Sequence, residues 1–531
     1  MKKLYVFILM FIFVITLNVN AMDVEWVSSE RFDNIDIVKD IGLVYNEQGS
    51  AIINKWGQIV SPFTRNEKRV TLNGLVAVLG DNNCIGFYNN KGEQVTDYIY
   101  DAFIDVNEKS GIRQVGYLSN LIGFPSGGDG SSDLIPVSLD GKFGYINPYG
   151  TTVIPHKYEY AYGFHQGIAM ICADGILSDY GTYTNGKYGF IKESGEEILP
   201  PDSYWMASYF DKNKGYAYAS NGEGDSVLID KEGNVFKTDK TGYAPVSDYI
   251  FLNEEYTRYS VVDKMGNTVI PWTWCYGIDY INGRFIYNNG MYNEKNELIY
   301  KAPDGASLYT KMTDYDTNFI YIKVPHPEID AYSLIGCLDM NGNTIIEPKF
   351  QTVLDLGEGL IYARSENENL LFDYNGKLLL KLNGQIDYDF SHNGFFAMRD
   401  FDTMKFGIAV NPLVHPKIYL NGKKLSFTDA YPFIENARTL VPLRSVFEEM
   451  GADVLWDNDN STVTVKKDNK VISMTVGVKT IKFNDTYSEI DTCPAIIDDR
   501  VYIPLRAFSE NLFMDVIWDG ENYKIDINNK K

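Results

Sequence analysis

The sequence has little cysteine or histidine: its 531 residues contain five of each. The cysteines are widely spaced, odd in number and form no CxxC or Cys–His pattern; they are Cys84, Cys172, Cys275, Cys337 and Cys493. This spacing argues against a disulfide framework and against a zinc site. We expect five small buried hydrophobic residues, with one disulfide among the first four cysteines as the alternative. The fold is then held together by its hydrophobic cores.

Basic residues are also in deficit. The chain has 48 Lys and Arg against 71 Asp and Glu, for a net charge of −23 at pH 7. Residues 412–531 contain 15 basic and 18 acidic side chains, so most of the acidic excess lies before them. Contacts to phosphates need clustered Lys and Arg, which argues against a nucleic-acid partner and against an anionic membrane surface. The excess indicates either a soluble secreted surface or recruitment of a cationic partner.

Long apolar runs are missing after the first 21 residues. In residues 1–21, Lys2 and Lys3 precede an apolar run from Leu4 to Leu17, and Val19 and Ala21 are small residues. This pattern predicts a cleaved signal peptide, because the run is shorter than the roughly 20 residues of a spanning helix. An uncleaved anchor is the alternative. We expect Sec-dependent export, an extracellular or cell-wall location, and no membrane span after cleavage.

Sequence motifs of the common enzyme classes are missing too. The five histidines form no HExxH pattern and lie beside no plausible nucleophile; they are His156, His165, His326, His392 and His415. The sequence contains no P-loop, GxSxG or dinucleotide fingerprint, and its carboxylates are too numerous to single out a catalytic pair. We therefore predict no catalytic, cofactor-binding or metal-binding residues and no cofactor.

What the chain does have is aromatic residues and glycine: 39 Tyr, 29 Phe and 45 Gly. This composition favours strands and tight turns. One unit recurs between about residues 41 and 410, with its best copies at 142–155 and 187–200. Each copy has an aromatic residue, Gly, a short apolar strand, a polar turn that ends in Gly, and a second apolar strand that often ends in Ile-Pro.

The turn glycines of this unit are spaced at a period near 40. They are Gly49, Gly92, Gly150, Gly195, Gly233, Gly266, Gly342 and Gly376, with Asn296 replacing Gly in one degenerate copy. Gly and Asn both tolerate a positive φ, so each unit is predicted to be a hairpin with a left-handed turn position. Three or four short strands per unit predict a seven- or eight-bladed β-propeller, with an open β-solenoid as the alternative. A closed ring predicts that Phe406–Val410 pairs in the sheet of Ile41–Ile53.

The unit resembles the WG-type β repeat of bacterial proteins, which is named for a Trp-Gly pair. Trp56-Gly57 keeps that pair, whereas Phe143-Gly144 and Tyr188-Gly189 carry other aromatic residues. The resemblance covers the repeat units between about residues 41 and 410, and the predicted repeat domain is 22–411. It implies a β-repeat domain and no particular activity, because the family is not tied to one.

The last part of the chain is an internal duplication. Residues 438–444 recur as 500–506, and Val-Leu-Trp-Asp at 454–457 recurs as Val-Ile-Trp-Asp at 516–519, both at an offset of 62. Each half is predicted to run strand, helix, strand, with Pro442 and Pro504 in the first turn of the helix. We therefore expect a small duplicated α+β domain over residues 412–531.

This duplicated pattern resembles the copper amine oxidase N-terminal-like domain of many exported bacterial proteins. One departure is Ala437, where the family usually has Gly. In the oxidases the metal and quinone belong to a separate catalytic domain, and here His415 is the last histidine of the chain. Copper amine oxidase activity is therefore the weakest functional hypothesis. The resemblance implies an accessory module for adhesion or cell-envelope association.

Two groups of residues are candidates for ligand contact. Trp272, Trp274 and Tyr276 follow the Ile-Pro of one unit, where they could stack on a sugar or pack between blades. Arg444 and Arg506 recur at equivalent positions of the duplication, where a binding role is the alternative to structural pairing at the strand–helix junction.

Two further recurring features of the duplicated domain have structural interpretations. Trp456 and Trp518 are predicted to plug the core. Asp457 to Asn460 are predicted to form a turn, rather than a Ca²⁺ site, because the loop lacks the Gly and the distal Glu of an EF-hand.

These observations predict a secreted or envelope-associated, non-enzymatic binding or scaffold protein. Its repeat domain would present a ligand surface, and its C-terminal module would hold it at the envelope. The expected partner is a cell-wall polymer, a glycan or another exported protein. The rival hypothesis is an extracellular carbohydrate-active enzyme on a propeller scaffold, which would need a carboxylate pair in a central pocket.

Overall fold

Almost every secondary-structure element of the protein is a β-strand. The computed structural model describes residues 24–71, 73–101, 105–106, 113–114, 131–177, 183–184, 186–210, 216–221, 226–230, 232–238, 243–246, 249–254, 257–263, 265, 267–310, 319–329, 332–386, 393–427, 430–512 and 514–530. The predicted signal peptide, 1–21, lies outside these residues. Within them, no helix is long and apolar enough to cross a membrane.

The described part of residues 34–410 contains ten consecutive sheets of three or four antiparallel strands, which we call the array. Sheet 1 contains β1 (Asn34–Val38), β2 (Ile41–Asn46) and β3 (Gly49–Asn54), and sheet 2 contains β4 (Lys68–Val70), β5 (Val76–Leu79), β6 (Cys84–Tyr88) and β7 (Tyr100–Asp101), followed by a separate hairpin of β8 (Asp105–Val106) and β9 (Arg113–Gln114). Sheet 3 contains β10 (Ile135–Leu139), β11 (Lys142–Ile146) and β12 (Thr152–Tyr158), and sheet 4 contains β13 (Tyr160–His165), β14 (Ile168–Ala173), β17 (Lys187–Lys192) and β18 (Glu197–Tyr204), with a hairpin of β15 (Ile176–Leu177) and β16 (Tyr183–Thr184) inserted after β14. Sheet 5 contains β19 (Met206–Ala207), β20 (Tyr216–Ser220), β21 (Ser226–Asp230) and β22 (Val235–Thr238).

The other five sheets follow the same order along the chain. They are sheet 6, β23 (Tyr243–Val246), β24 (Tyr249–Glu254), β25 (Arg258–Asp263) and β26 (Thr268–Trp274); sheet 7, β27 (Asp279–Ile281), β28 (Arg284–Tyr287), β29 (Gly290–Asn293) and β30 (Leu298–Lys301); sheet 8, β31 (Ser307–Tyr309), β32 (Phe319–Pro325), β33 (Ser333–Asp339) and β34 (Thr344–Phe350); sheet 9, β35 (Thr352–Gly357), β36 (Leu360–Arg364), β37 (Asn369–Asp373) and β38 (Leu378–Leu382); and sheet 10, β39 (Gly384–Gln385), β40 (Phe395–Asp400) and β41 (Phe406–Val410). Ten sheets exceed the predicted seven or eight. Sheet 10 had no counted turn glycine, because Met404 takes the left-handed position there with φ +57°.

In most units an Asn or Asp side chain holds the turn before the final strand or, in sheet 1, the turn after β3. Sheet 4 has Lys192 at this position instead. In sheet 3, Asn147 Oδ1 accepts the N–H groups of Tyr149 and Thr151, both at 3.0 Å, and Gly150 has φ +78°. The same side-chain turn recurs at Asn54, Asn89, Asp263, Asn293, Asp339 and Asp373. The left-handed position is therefore confirmed wherever it is described, including at Asn296 with φ +60°; the predicted Gly266 lies outside the described residues.

The glycine of the aromatic-Gly motif lies inside a strand, where the next strand bulges onto it. An alanine Cβ at Gly144 would lie 2.5 Å from the Ile154 carbonyl oxygen, and the β11–β12 register shifts at this point. Trp56-Gly57 is not such a pair, because Gly57 occupies the turn after β3 with φ +71°. The sequence alignment of Trp56-Gly57 with Phe143-Gly144 is therefore wrong.

The two ends of the array lie side by side. Phe32, just before β1, exchanges two backbone hydrogen bonds of 2.8 Å with Phe406 of β41. The predicted pairing of Phe406–Val410 with Ile41–Ile53 is wrong, since β2 and β3 belong to sheet 1 while the segment before β1 adds to sheet 10. Sheets 1 and 10 nevertheless share one buried core. A closed ring requires such adjacent ends, and closure itself stays a prediction.

The described part of the C-terminal domain contains three sheets and two short helices. Its elements are β42 (Lys417–Leu420), β43 (Lys423–Lys424), β44 (Phe433–Glu435), β45 (Arg438–Pro442), α1 (Leu443–Phe447), β46 (Asp453–Asp457), β47 (Thr462–Lys467), β48 (Lys470–Thr475), β49 (Thr480–Phe483), β50 (Thr486–Glu489), β51 (Ala495–Ile497), β52 (Arg500–Pro504), α2 (Leu505–Asn511), β53 (Met514–Asp519) and β54 (Lys524–Asn529). The sheet orders are β43-β42-β54-β53, β44-β45-β52-β51 and β46-β47-β48-β49-β50. The equivalent strands β45 and β52 pair antiparallel with Val441 opposite Ile503, so the two halves meet about an approximate two-fold axis.

The array and the C-terminal domain share an aromatic junction. The Trp56 ring stacks on Tyr431 at 5.9 Å between centroids and meets the edge of Phe395 at 6.0 Å. His415 lies beside all three rings, and its ring nitrogens lie 2.8 Å and 2.7 Å from the carbonyl oxygens of Pro432 and Asn393. Trp56, which belongs to the one intact Trp-Gly pair, therefore packs at the junction between the array and the C-terminal domain.

We expect Trp56→Ala to lower the unfolding free energy by about 3–5 kcal/mol and to separate the melting of the C-terminal domain from that of the array. Removing the indole ring leaves a cavity between the domains, because Trp56 is only 8% exposed. Differential scanning calorimetry would show one transition splitting into two. Trp205→Ala, at a Trp that is 55% exposed, is the matched control. An unchanged Trp56→Ala profile would show that the junction adds no stability.

Candidate functional site

The three predicted ligand-contact residues form an exposed surface at the end of sheet 6. Trp272 and Trp274 lie on the same face of β26 and are 43% and 70% exposed, and Tyr276 is fully exposed. The guanidinium carbon of Arg258, opposite Trp274 on β25, lies 5.7 Å and 5.5 Å from the two indole centroids. The rings are thus available to solvent rather than packed between sheets, and their role as ligand contacts stays a prediction.

The C-terminal domain has two equivalent grooves that sequence analysis did not find. Groove 1 encloses about 520 Å³ and is lined by Leu443, Arg444, Trp456, Ile496, Asp499 and Arg500 among others. Groove 2 encloses about 750 Å³ and is lined by the residues at the duplication offset, Leu505, Arg506, Trp518, Ile434, Ala437 and Arg438, together with carboxylates. Each groove therefore combines a helix and an edge strand of one half with the β-hairpin of the other half.

One tryptophan and one arginine of these grooves differ from their predicted roles. Trp518 is 41% exposed and Trp456 is half-buried, so the prediction of two core plugs is wrong for Trp518. Within the described residues, the guanidinium of Arg444 has no ion pair or hydrogen bond, so structural pairing at this junction is wrong for Arg444. The Nε atom of Arg506 lies 3.8 Å from a carboxylate oxygen of Glu510. The recurring Arg and Trp were visible in the sequence, but their exposure was not.

The electrostatics of the two grooves differ. In groove 2, Arg438 donates from Nε to Asp491 Oδ2 at 2.6 Å, and this bond holds the pKa of Asp491 below its usual range. Glu489 and Glu510 also line groove 2, so its carboxylates outnumber its arginines. The carboxylate that lines groove 1, Asp499, lies 3.1 Å from the ammonium of Lys91 on the array. Groove 1 is therefore the more cationic of the two.

The Asp-Asn runs after both tryptophans are turns, as predicted. Asp457 Oδ1 accepts the N–H groups of Asp459 and Asn460, and its other oxygen accepts the Asn460 side-chain amide at 2.8 Å. Asp519 makes the equivalent three bonds. These bonds lower the pKa of both aspartates. The carboxylates are thus engaged with the loop itself.

The thiols and imidazoles do not assemble into a reactive cluster in the part of the chain that the structure describes. All five cysteines are free, and Cys172, Cys275 and Cys337 are buried. Burial raises the pKa of the Cys337 thiol to about 12, so this thiol stays protonated at neutral pH. Among the described residues no group of three His, Cys, Asp or Glu is placed to hold a metal ion.

Comparison with known proteins identifies both predicted domain types. Residues 143–175 and 335–368 match the WG containing repeat, and residues 419–527 match the copper amine oxidase N-terminal domain. No curated protein matches the chain significantly. The two resemblances that the sequence suggested are therefore confirmed, and the chain carries WG repeats followed by a copper amine oxidase N-terminal domain.

Solved structures resemble the chain only distantly. They include a eukaryotic initiation factor, 8% identical over 60% of this chain and 87% of that chain, with a TM-score of 0.34. The computationally designed Ika8 protein is 10% identical over 53% of this chain and 94% of that chain, with a TM-score of 0.27. BamB from Moraxella catarrhalis is 10% identical over 73% of this chain and all of that chain, with a TM-score of 0.25.

Proposed function

We propose that the chain is an exported, non-catalytic binding or scaffold protein. Its array presents a ligand surface to a glycan or another exported protein, and its C-terminal domain holds it at the cell wall. The exposed aromatic surface of Trp272, Trp274 and Tyr276 carries the proposal for the array, because solvent-exposed aromatic rings beside Arg258 are placed to stack on a ligand.

The connection between the two parts supports this division of labour. Besides the aromatic junction, Lys377 of the array donates to the Gly520 carbonyl at 3.0 Å and lies 4.7 Å from the Tyr523 ring centroid. Lys424 of the C-terminal domain lies 2.8 Å from Glu25, which precedes the array and accepts a backbone hydrogen bond from Val410 of β41. A protein attached through one part would thus hold the other in a defined orientation, as a scaffold requires.

Co-sedimentation with bacterial cell-wall sacculi tests the proposal. We expect the mature chain, 22–531, and the fragment 412–531 to pellet, and the fragment 22–411 to stay in solution. If only 22–411 pellets, the array itself contacts the wall, and the full-length double variant Trp272→Ala/Trp274→Ala, with Trp205→Ala as control, would show whether its aromatic surface does so. If nothing pellets, the envelope role is wrong.

A further inference from the structure

Groove 1 lies at a local concentration of positive charge in an acidic protein. Its two arginines are Arg444 and Arg500, and two lysines of the array approach its hairpin, Lys55 at Asp498 and Lys91 at Asp499. Among the charged residues that line groove 1, there are two arginines and one aspartate, although the whole chain carries a net charge of −23. A local positive site of this kind attracts anionic ligands.

The duplication supplies an internal comparison. Both halves keep the exposed Arg of the helix and the Trp of the edge strand, while the buried helix residues have diverged, for example from Phe447 to Ser509. In groove 2 the carboxylates of the domain itself approach both arginines, with Asp491 on Arg438 and Glu510 near Arg506. In groove 1, within the described residues, no carboxylate lies on Arg444. Groove 1 thus offers an exposed guanidinium that an external carboxylate can reach.

We propose that groove 1 binds a carboxylate-bearing sugar, a uronate unit of an acidic glycan, with the carboxylate on Arg444 and the sugar ring against Trp456. The proposal names the ligand class for the envelope attachment proposed above and rests on that function. A guanidinium pairs with a carboxylate through two parallel hydrogen bonds. An indole ring beside it supplies a flat apolar face.

The paired Trp and Arg favour a uronate over a simple phosphate chain. A uronate carries its carboxylate on the sugar ring, so one unit can satisfy both side chains, whereas an open-chain polyol phosphate has no ring to place on Trp456. The volume of groove 1, about 520 Å³, lies within the usual range for small-ligand sites. Asn458 and Ser445 line the same groove and are available for hydroxyl groups.

Calorimetric titration of the full mature chain with an oligogalacturonate of defined length tests the assignment. We expect Arg444→Gln to weaken binding about tenfold, which corresponds to about 1.4 kcal/mol, and Arg506→Gln, the matched change in groove 2, to leave affinity within about twofold. Trp456→Phe should weaken binding more than Trp518→Phe. Methyl esterification of the oligosaccharide keeps the sugar ring but removes the charge, so the ester should not bind measurably.

The outcomes separate this inference from the proposed function. Equal losses from Arg444→Gln and Arg506→Gln, or equal binding of the methyl ester, would overturn the assignment to groove 1. If the wild-type chain pellets with sacculi but does not bind oligogalacturonate, the uronate assignment fails and the envelope role stands. If it binds oligogalacturonate in an Arg444-dependent manner but does not pellet with sacculi, the assignment to groove 1 stands and the envelope role fails. Unchanged melting of Arg444→Gln would confirm that the exposed arginine is not needed for folding.

Discussion

Gly189→Ala should lower the unfolding free energy of the array by about 3 kcal/mol or more. An alanine Cβ at this position would lie 2.2 Å from the Pro200 carbonyl oxygen and 2.4 Å from that of Leu199. Both atoms belong to the backbone of β18, which bulges across β17 at this point. Because backbone cannot rotate away as a side chain can, the two strands would have to separate. Urea denaturation, followed by circular dichroism, would measure the loss.

Gly167→Ala is the matched control for this prediction. Gly167 lies in the turn between β13 and β14 with φ +84°, and an alanine Cβ there would meet nothing within 4 Å. Its cost is therefore limited to the backbone strain of a left-handed residue, about 1 kcal/mol. The pair separates the two reasons for which glycine is needed in the array. Equal losses from the two variants would contradict the steric account of the aromatic-Gly motif.

The local parts of the fold could be predicted from the sequence. The turn residues, such as Asn147 and Gly150, are determined by side-chain capping and positive φ, both of which act within five residues. The duplication at an offset of 62 was equally visible. Its helices begin directly after Pro442 and Pro504, which are extended N-cap residues rather than members of the first helical turn as predicted. Structural features that depend only on neighbouring residues can therefore be predicted from the sequence.

The non-local parts could not be predicted in the same way. Trp56-Gly57 has the composition of the repeat motif, but its position relative to Asn54 places it in a turn, and Trp56 packs on Tyr431, 375 positions later. The pairing of Phe32 with Phe406 depends likewise on how all the sheets are arranged. Such contacts leave no periodic signal, because their partners are set by the accumulated geometry of the array.

The candidate sites show the same limit. The aromatic character of Trp272 and Trp274 was readable, but whether the rings face solvent or the next sheet depends on the neighbouring strands. The grooves were harder to find, since each joins one half of the duplication to the hairpin of the other. The paired recurrence of Arg444 and Trp456 as Arg506 and Trp518 was the available signal, and only the fold shows that each pair lines one groove.

Raising the pH from 10 to about 11 should unfold the protein cooperatively. Burial raises the pKa of Tyr431 to about 12 and raises those of Tyr145, Tyr160 and Tyr321 further, whereas an unfolded tyrosine titrates near 10. The folded state therefore retains protons that the unfolded state releases. The stability linked to these phenols is complete below pH 10 and is lost as the pH rises towards the folded pKa.

The expected loss is large because several phenols contribute at once. Each buried phenol lowers the unfolding free energy by about 1.4 kcal/mol per pH unit above 10. Four together lower it by about 5 kcal/mol near pH 11, which is comparable with the whole unfolding free energy of many domains. Phenolate absorbance and circular dichroism, recorded on one sample, should change together. A smooth titration of the 39 tyrosines around pH 10 with an unchanged circular dichroism spectrum would contradict this account.

Single Tyr→Phe variants test which phenols are responsible. Tyr431 is 5% exposed at the junction, so its phenol loses a proton at high pH when the protein unfolds. Tyr431→Phe removes that proton release, and the pH midpoint of alkaline unfolding should rise by about 0.3 unit. Tyr276 is fully exposed and buries no ring on folding, so Tyr276→Phe should leave the midpoint unchanged. If the midpoint rises for Tyr431→Phe but not for Tyr276→Phe, the junction opens in the same transition as the rest of the chain. A phenol that became exposed in an earlier transition would not change the midpoint of the main one.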